Sequence, residues 1–241
     1  MNFEFLRTHS ARQATRVGLF LLVVAAIWAG YFRWRPPVPM LHLSHIEHMG
    51  ETNAVALTFD DAPHPLTTPL LLSALQRTGV KASFFVVGDG LKFYPELSAR
   101  IVQDGHRLAN HSQYHINLTR LSPAEYAHEI QSCFVAIDAV YADAKIPTTP
   151  TRLFRPPGGG LNRDAMLYLL KNDVTLAWWS NNVGDWTRPA AWKIARGVKA
   201  NLRGGDIVLL HDAGPGTAQA LGSIVKEARE RGLQFGPMPE S

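Results

Sequence analysis

The chain of 241 residues holds a single cysteine, Cys133, so no internal disulfide can brace it. Ile130, Phe134 and Ile137 flank that cysteine at helical spacing, which marks it as a buried, inert thiol. A basic surplus is also missing from most of the sequence. The formal charge of +4 arises in the first 35 residues, where five arginines face one glutamate. The other 206 residues carry 19 basic and 19 acidic groups, a balance that excludes a nucleic-acid-binding domain. No internal repeat is found. Long hydrophobic runs are scarce, with one uncharged stretch at Val17 to Phe32 (VGLFLLVVAAIWAGYF).

That stretch is at the short end for a membrane span. Its candidate cleavage pairs, Ile27 with Ala29 and Trp28 with Gly30, fit a signal peptidase poorly. The expectation is an uncleaved signal anchor rather than a cleaved signal peptide or a buried helix. Arg7, Arg12 and Arg16 precede the stretch, while Arg33 and Arg35 follow it, which places the N-terminus in the cytoplasm. The rest of the chain is then extracytoplasmic, in the periplasm or at the cell surface, or secreted if the segment is cleaved. The expected organisation is an anchor over residues 1–35, a Pro/His-containing linker over 36–53, and a domain over 54–241. His42, His45 and His48 in the linker could share one helix face. They have no carboxylate or cysteine partner at an obvious spacing, so no metal site is assigned there.

What is present beyond residue 53 is an alternation of short apolar runs and helical patterns. The pattern predicts strands at 54–59, 82–87, 106–109, 152–154, 174–179, 206–210 and 233–236. Helices are predicted near 67–78, 94–104, 122–141, 162–172, 189–202 and 217–231. Ser122-Pro123-Ala124-Glu125 reads as a capping box with Pro at the first helical position, and Asn162 as a cap for the next helix. Runs such as Ile207-Val208-Leu209-Leu210 are apolar on both faces, as a covered parallel sheet requires. The number of strand–helix units suits a barrel better than an open sheet.

Polar residues gather after the strands. Asp60 and Asp61 follow the first, Asn110 and His111 the third, Arg155 the fourth, Ser180 to Asp185 the fifth, and His211 and Asp212 the sixth. In a parallel α/β barrel these positions meet at the C-terminal face, where active sites lie. His111 and His115, in His111-Ser112-Gln113-Tyr114-His115, would project from one face if that stretch forms a helical turn. With one aspartate of the Asp60-Asp61 pair they make a two-histidine, one-carboxylate metal site. Arg155 precedes Pro156-Pro157-Gly158-Gly159-Gly160, a rigid stretch and then bare backbone whose N–H groups can approach a substrate oxygen. Arg152 reads as a surface residue, and His9, His106 and His128 as structural or solvated. Trp178 and Trp179 should divide between core and a sugar-facing surface, and Trp192 should pack a helix.

These residues resemble the polysaccharide deacetylases with the NodB homology domain, also called carbohydrate esterase family 4. Five motifs occur in the family's order over residues 54–236: TFDDAP, HSQYH, RPPGG, NVGDW and LLH. The resemblance implies a distorted, incomplete (β/α) barrel, preceded here by one hydrophobic helix. It also implies metal-dependent removal of N- or O-acetyl groups from sugars. Asp60 would be the general base, and Asp61, His111 and His115 would hold a divalent metal, zinc first, with Co2+ or another divalent ion as alternatives. Arg155 would orient Asp60, Asp185 would orient the general acid His211, and the backbone near Gly158 would bind the oxyanion. Trp186 and Leu209 would line the acetyl pocket. Three positions depart from the family pattern. Ala62 stands for Gly, so strain of roughly 1–2 kcal/mol arises there if the turn is left-handed. Gly158 stands for Tyr or Phe, and Asn182 for the first Asp of D-x-x-D-W.

The expected function is therefore hydrolysis of an acetylated aminosugar by a monomeric enzyme, with an acetylated glycan as substrate and the membrane as partner. The rivals are a deformylase acting on a lipid-linked aminosugar, an Fe(II) oxygenase, and a non-catalytic carbohydrate-binding relative. The oxygenase leaves Asp60, Arg155 and the Asp185–His211 pair unexplained.

Overall fold

In a computed structural model that describes residues 45–149 and 151–239, the first long strand, β2 (Ala54–Ala62), organises the molecule. Its residues alternate between two buried environments. Val55, Leu57 and Phe59 pack into the larger core, shared with helices, while Ala56 joins a second cluster with Phe85, Ala109, Leu153, Ala177 and Ile207. Both faces of the strand are covered, as a parallel sheet requires. The apolar runs seen in the sequence have this cause.

Around β2 the sheet continues with β3 (Ser83–Val86), β4 (Arg107–Asn110), β5 (Leu153–Phe154) and β6 (Thr175–Ala177), then the two-residue β1 (His45–Ile46). On the other side lie β8 (Ile207–His211) and β7 (Asn181–Asn182), and β9 (Gln234–Gly236) pairs the start of β2. Every recorded pairing is parallel. The path ends at β1 and β7, so the barrel is incomplete. The 21-residue helix α4 (Pro123–Asp143) buries Tyr126, Ile130, Cys133, Ile137 and Tyr141, a stripe spaced three or four residues apart. The other crossovers are α1 (Thr68–Thr78), α2 (Gly88–Phe93), α3 (Pro95–Gln103), α5 (Arg163–Lys171), α6 (Ala191–Asn201) and α7 (Pro215–Glu230).

Both expected caps are in place. The Ser122 N–H donates to the Glu125 carboxylate at 2.7 Å, and Asn162 accepts from the Ala165 N–H at 2.8 Å. Cys133 is fully buried, and desolvation pushes its thiol up to about 12, so it is inert at neutral pH. Arg152 pairs with Asp138 on the surface at 2.8 Å.

Other expectations are revised. His45–Ile46, expected within the linker, pairs with β6, and the Met49 N–H donates to the Gly205 carbonyl. His45 is thus in a strand, not on a helix face; His42 lies outside the described residues, as does Val17 to Phe32. Among the described residues no helix is long and apolar enough to cross a membrane. Trp192 does not pack the interior of its helix; it is 60% exposed, with the Lys193 ammonium beside its ring.

Candidate active site

Two adjacent carboxylates reach one site because β2 carries a bulge. Asp60 pairs with Phe85, yet the next partner in β3, Val86, is paired by Ala62. Asp61 is the extra residue, and its φ of 69° takes it out of the alternation. Ala62 consequently returns to the larger core, where Phe59 also lies, and both aspartates remain at the strand's open end. The left-handed conformation therefore falls on Asp61, not on Ala62. Asp and Asn tolerate it better than other residues with a Cβ.

The His111–His115 stretch is not a helical turn. Ser112 and His115 both have positive φ, 69° and 55°, and side chains hold the loop instead. Asn110 Oδ1 accepts from the Ser112 N–H at 2.8 Å, and Ser112 Oγ from the His115 N–H at 3.0 Å. The buried Glu129 of α4 accepts from the Tyr114 N–H at 3.0 Å. The two imidazoles still meet, with ring centroids 5.1 Å apart. Convergence comes from loop hydrogen bonds rather than helical periodicity.

Asp61, His111 and His115 each offer a ligand atom, all within 4.8 Å of one another. Asp61 Oδ1 lies 3.1 Å from His115 Nε2 and 3.6 Å from His111 Nε2 and has no well-aligned hydrogen-bond donor. His111 Nδ1 faces the Arg155 carbonyl at 2.7 Å; a carbonyl only accepts, so Nδ1 carries the proton and the Nε2 lone pair is left for a cation. Burial holds the His111 imidazole below its ordinary pKa despite Asp60 and Asp61, so it stays neutral as a ligand must. Burial works against ionisation of Asp61, but the close His115 and the other imidazoles that face it overcome this and lower its pKa. These three residues fit a divalent cation.

Asp60 is 3% exposed and receives a 2.7 Å bond from Arg155 Nη1 on Oδ1. Its Oδ2 faces His111 Nε2 at 3.6 Å. Arg155 is fully buried and held by bonds to the Thr58 hydroxyl and the carbonyls of Ala177 and Trp178, with its guanidinium stacked 3.9 Å from the Phe85 ring. A cation fixed this firmly has one task left, to face Asp60.

Across the cleft, the His211 Nδ1–H donates to Asp185 Oδ1 at 2.8 Å. Asp185 Oδ2 accepts from the His211 backbone N–H and from the Thr217 hydroxyl, each at 2.8 Å. Burial would lower the His211 pKa, yet Asp185, Asp60 and Asp61 outweigh it and raise the value. The Trp186 ring, 49% exposed, lies edge-on to His211 at 5.1 Å.

A cavity of about 340 Å³ joins these groups, bounded by Asp60, Asp61, His111, His115, Gly158, Trp186, Leu209 and His211. Arg155 and Asp185 lie buried against Asp60 and His211 respectively. Gly158 has φ 63° in a short turn, and a Cβ added there would meet nothing within 4 Å. Pro156, Gly159 and Asn182 also border the cavity without having been assigned a site role from sequence. Asn182 accepts from the Gly184 N–H at 3.0 Å and so closes a turn rather than orienting His211. Trp178 packs into a core cluster while Trp179 borders the cleft, the division expected for the pair. Thr58, the first residue of TFDDAP, and Thr217 orient Arg155 and Asp185, and neither was assigned a role from sequence.

The family described as polysaccharide deacetylase matches residues 48–177. A chitooligosaccharide deacetylase of Bradyrhizobium sp. (strain ANU 289) is 34% identical over 203 residues, covering 78% of this chain and 90% of its own length. A peptidoglycan-N-acetylglucosamine deacetylase of Bacillus cereus is 32% identical over 212 residues, covering 86% and 90%. Among solved structures, the Bc1960 peptidoglycan N-acetylglucosamine deacetylase aligns with a TM-score of 0.76 at 27% identity, over 82% of this chain and 92% of that one. BA3943 of Bacillus anthracis, described as a CE4 family pseudoenzyme, aligns at 0.74 with 25% identity, over 82% and 68%. Fold likeness thus extends to a protein described as a pseudoenzyme, and the functional reading must come from the residues of the site.

Proposed function

Because the chain belongs to the polysaccharide deacetylase family, we propose that it removes the N-acetyl group from an aminosugar of an oligomeric or polymeric glycan, releasing acetate and a free amine. The observation that carries this reading is the pairing of two opposed proton-transfer devices across one cleft, Asp60–Arg155 and His211–Asp185. A ligand set alone would serve many reactions. Amide hydrolysis needs a base for water and an acid for the departing nitrogen, and the cleft holds one of each.

Asp61, His111 and His115 would hold the divalent ion, for which zinc is our choice given two imidazoles and one carboxylate. When bound there, it supplies Lewis-acid polarisation of the acetyl carbonyl and makes water more acidic. Asp60 has Oδ1 committed to Arg155 and Oδ2 free for the proton of the attacking water. The backbone at Gly158 borders the space where negative charge develops on the carbonyl oxygen, which suits an N–H donor. His211, with Nδ1 bound to Asp185, keeps Nε2 for delivery of a proton to the leaving amine. Its raised pKa keeps a larger share in the acid form near neutral pH. Leu209 and Trp186 flank the acetyl group, and Trp179 offers a face for the sugar. We further place Val17 to Phe32 in a membrane as an anchor for a monomeric extracytoplasmic domain, supported by its uncharged run and arginine flanks.

The full chain, supplied with zinc, should release acetate from chitooligosaccharides or peptidoglycan fragments, with matching acetyl loss seen by mass spectrometry. Formate release instead would favour the deformylase, and no acetyl loss from any acetylated glycan would overturn the proposal.

A further inference from the structure

Asp212 follows His211 directly, at the mouth of the barrel, yet it is only 2% exposed. A carboxylate in that place would ordinarily turn to solvent. Here its backbone N–H donates to the Asp60 carbonyl at 2.8 Å, and its own carbonyl accepts from the Thr67 hydroxyl at 3.1 Å. The side chain reaches further. Oδ2 accepts from the Thr68 hydroxyl and from the His64 N–H at 3.2 Å, an N–H that also donates to Thr68 Oγ1 at 2.7 Å. Oδ1 is buried with no hydrogen-bond partner, so the group is costly where it sits.

These contacts join two strand ends. One end carries His211. The other carries Asp60 and Asp61 and continues through His64 to Thr68, where α1 begins. The Asp61 bulge adopts a backbone conformation that surrounding structure must impose. Upstream it is fixed by the β2 ladder. Downstream the Ala62 carbonyl accepts from the Val87 N–H at 2.9 Å, and the next anchor along the chain is His64 on Asp212.

We infer that Asp212 is a positioning residue: its carboxylate clamps the His64–Thr68 segment and thereby holds Asp61 in ligand position and in register with His211. The inference rests on the site reading above but concerns placement, not chemistry. Hydrogen-bond acceptance is what the clamp requires, so an amide at 212 should serve nearly as well as the acid.

The test measures zinc affinity by chelator competition on the full chain, well below its melting temperature, beside kcat and KM for chitooligosaccharide deacetylation. Asp212→Ala should weaken zinc binding by about 10–100-fold and lower kcat on the same scale, with KM within about twofold. Asp212→Asn should restore both to within a few-fold of the parent. Thr68→Val, which removes the hydroxyl that joins Asp212 to the His64 N–H and keeps the size, should weaken zinc in the same direction if Asp212→Ala does not fold. The double variant should be no worse than Asp212→Ala. Parental zinc affinity in Asp212→Ala, or in Thr68→Val, overturns the inference, as does an Asp212→Asn as impaired as the alanine variant. Zinc affinity that follows this pattern in a protein without acetyl release would uphold the clamp and sink the deacetylase reading.

Discussion

His111 at the end of β4 and His211 at the end of β8 face the same cleft, and they differ mainly in what Nδ1 touches. The His111 partner is a backbone carbonyl, which is neutral; the His211 partner is the Asp185 carboxylate. The first is driven below its ordinary pKa by burial, and the second is raised above it by surrounding carboxylates. One imidazole is thereby made a lone-pair donor and the other a proton donor. The same side chain acquires opposite chemistry from a single hydrogen-bond acceptor.

Removing either ring should break this comparison in different ways. His111→Ala should show the largest effect, with zinc no longer retained after dialysis and acetate release lost; added zinc should not restore it. His211→Ala should keep the parent's zinc content while kcat falls by about 10²–10⁴-fold. Zinc loss in His211→Ala, measured by metal analysis, would erase the distinction. Asp185→Asn sharpens it further. The carboxylate that raises the His211 pKa is then gone, so the acid form is depleted at lower pH and the alkaline limb of the kcat profile should move down. We expect kcat near neutral pH to fall by roughly 10-fold, on the scale of other changes to residues that orient a site.

The smallest effect concerns a third histidine with no part in the cleft. His106 is buried against Phe84, accepts from the Ala82 N–H, and is pushed down to about 4 by desolvation and by Lys81. Its folded value lies below its unfolded one, so neutral His106 contributes stability above about pH 6.5 that is lost as pH falls towards 4. The full span is worth roughly 3 kcal/mol. His106→Asn, which keeps an acceptor, should flatten thermal stability against pH in that window and leave kcat unchanged.

Legibility followed the same division. Strands buried on both faces, such as β2 and β8, are written in their apolar runs, and the long stripe of α4 in its spacing. The residues that meet in the cleft could be placed by their position after strands. What sequence did not show is backbone conformation. His111-Ser112-Gln113-Tyr114-His115 has helical spacing, yet Asn110 and Glu129 hold it in a loop from outside that window. The two-residue β1 and β7 exist because neighbouring strands pair them, which no local propensity records. Helix α2 (Gly88–Phe93) begins with two glycines in three residues, which leaves it little local helical propensity. Trp192 sits in a helical pattern, but apolar character alone does not say which face meets the core.

The bulge at Asp61 makes chemical identity a matter of counting. Asp60 pairs with His211 across β2 and β8, and the unpaired neighbour takes the other duty. Were β2 to slide by one residue along β8, Asp61 would come to oppose His211 and Asp60 would move out of reach of Arg155. The carboxylate proposed to ligate the metal would then stand in the place of the proposed proton acceptor, and the ligand's own place would pass to Ala62. Deleting a single residue from Ala54–Phe59 is the genetic equivalent of that slide. Such a deletion should be far more damaging to activity than any single substitution in the same stretch, even where the shortened strand still folds.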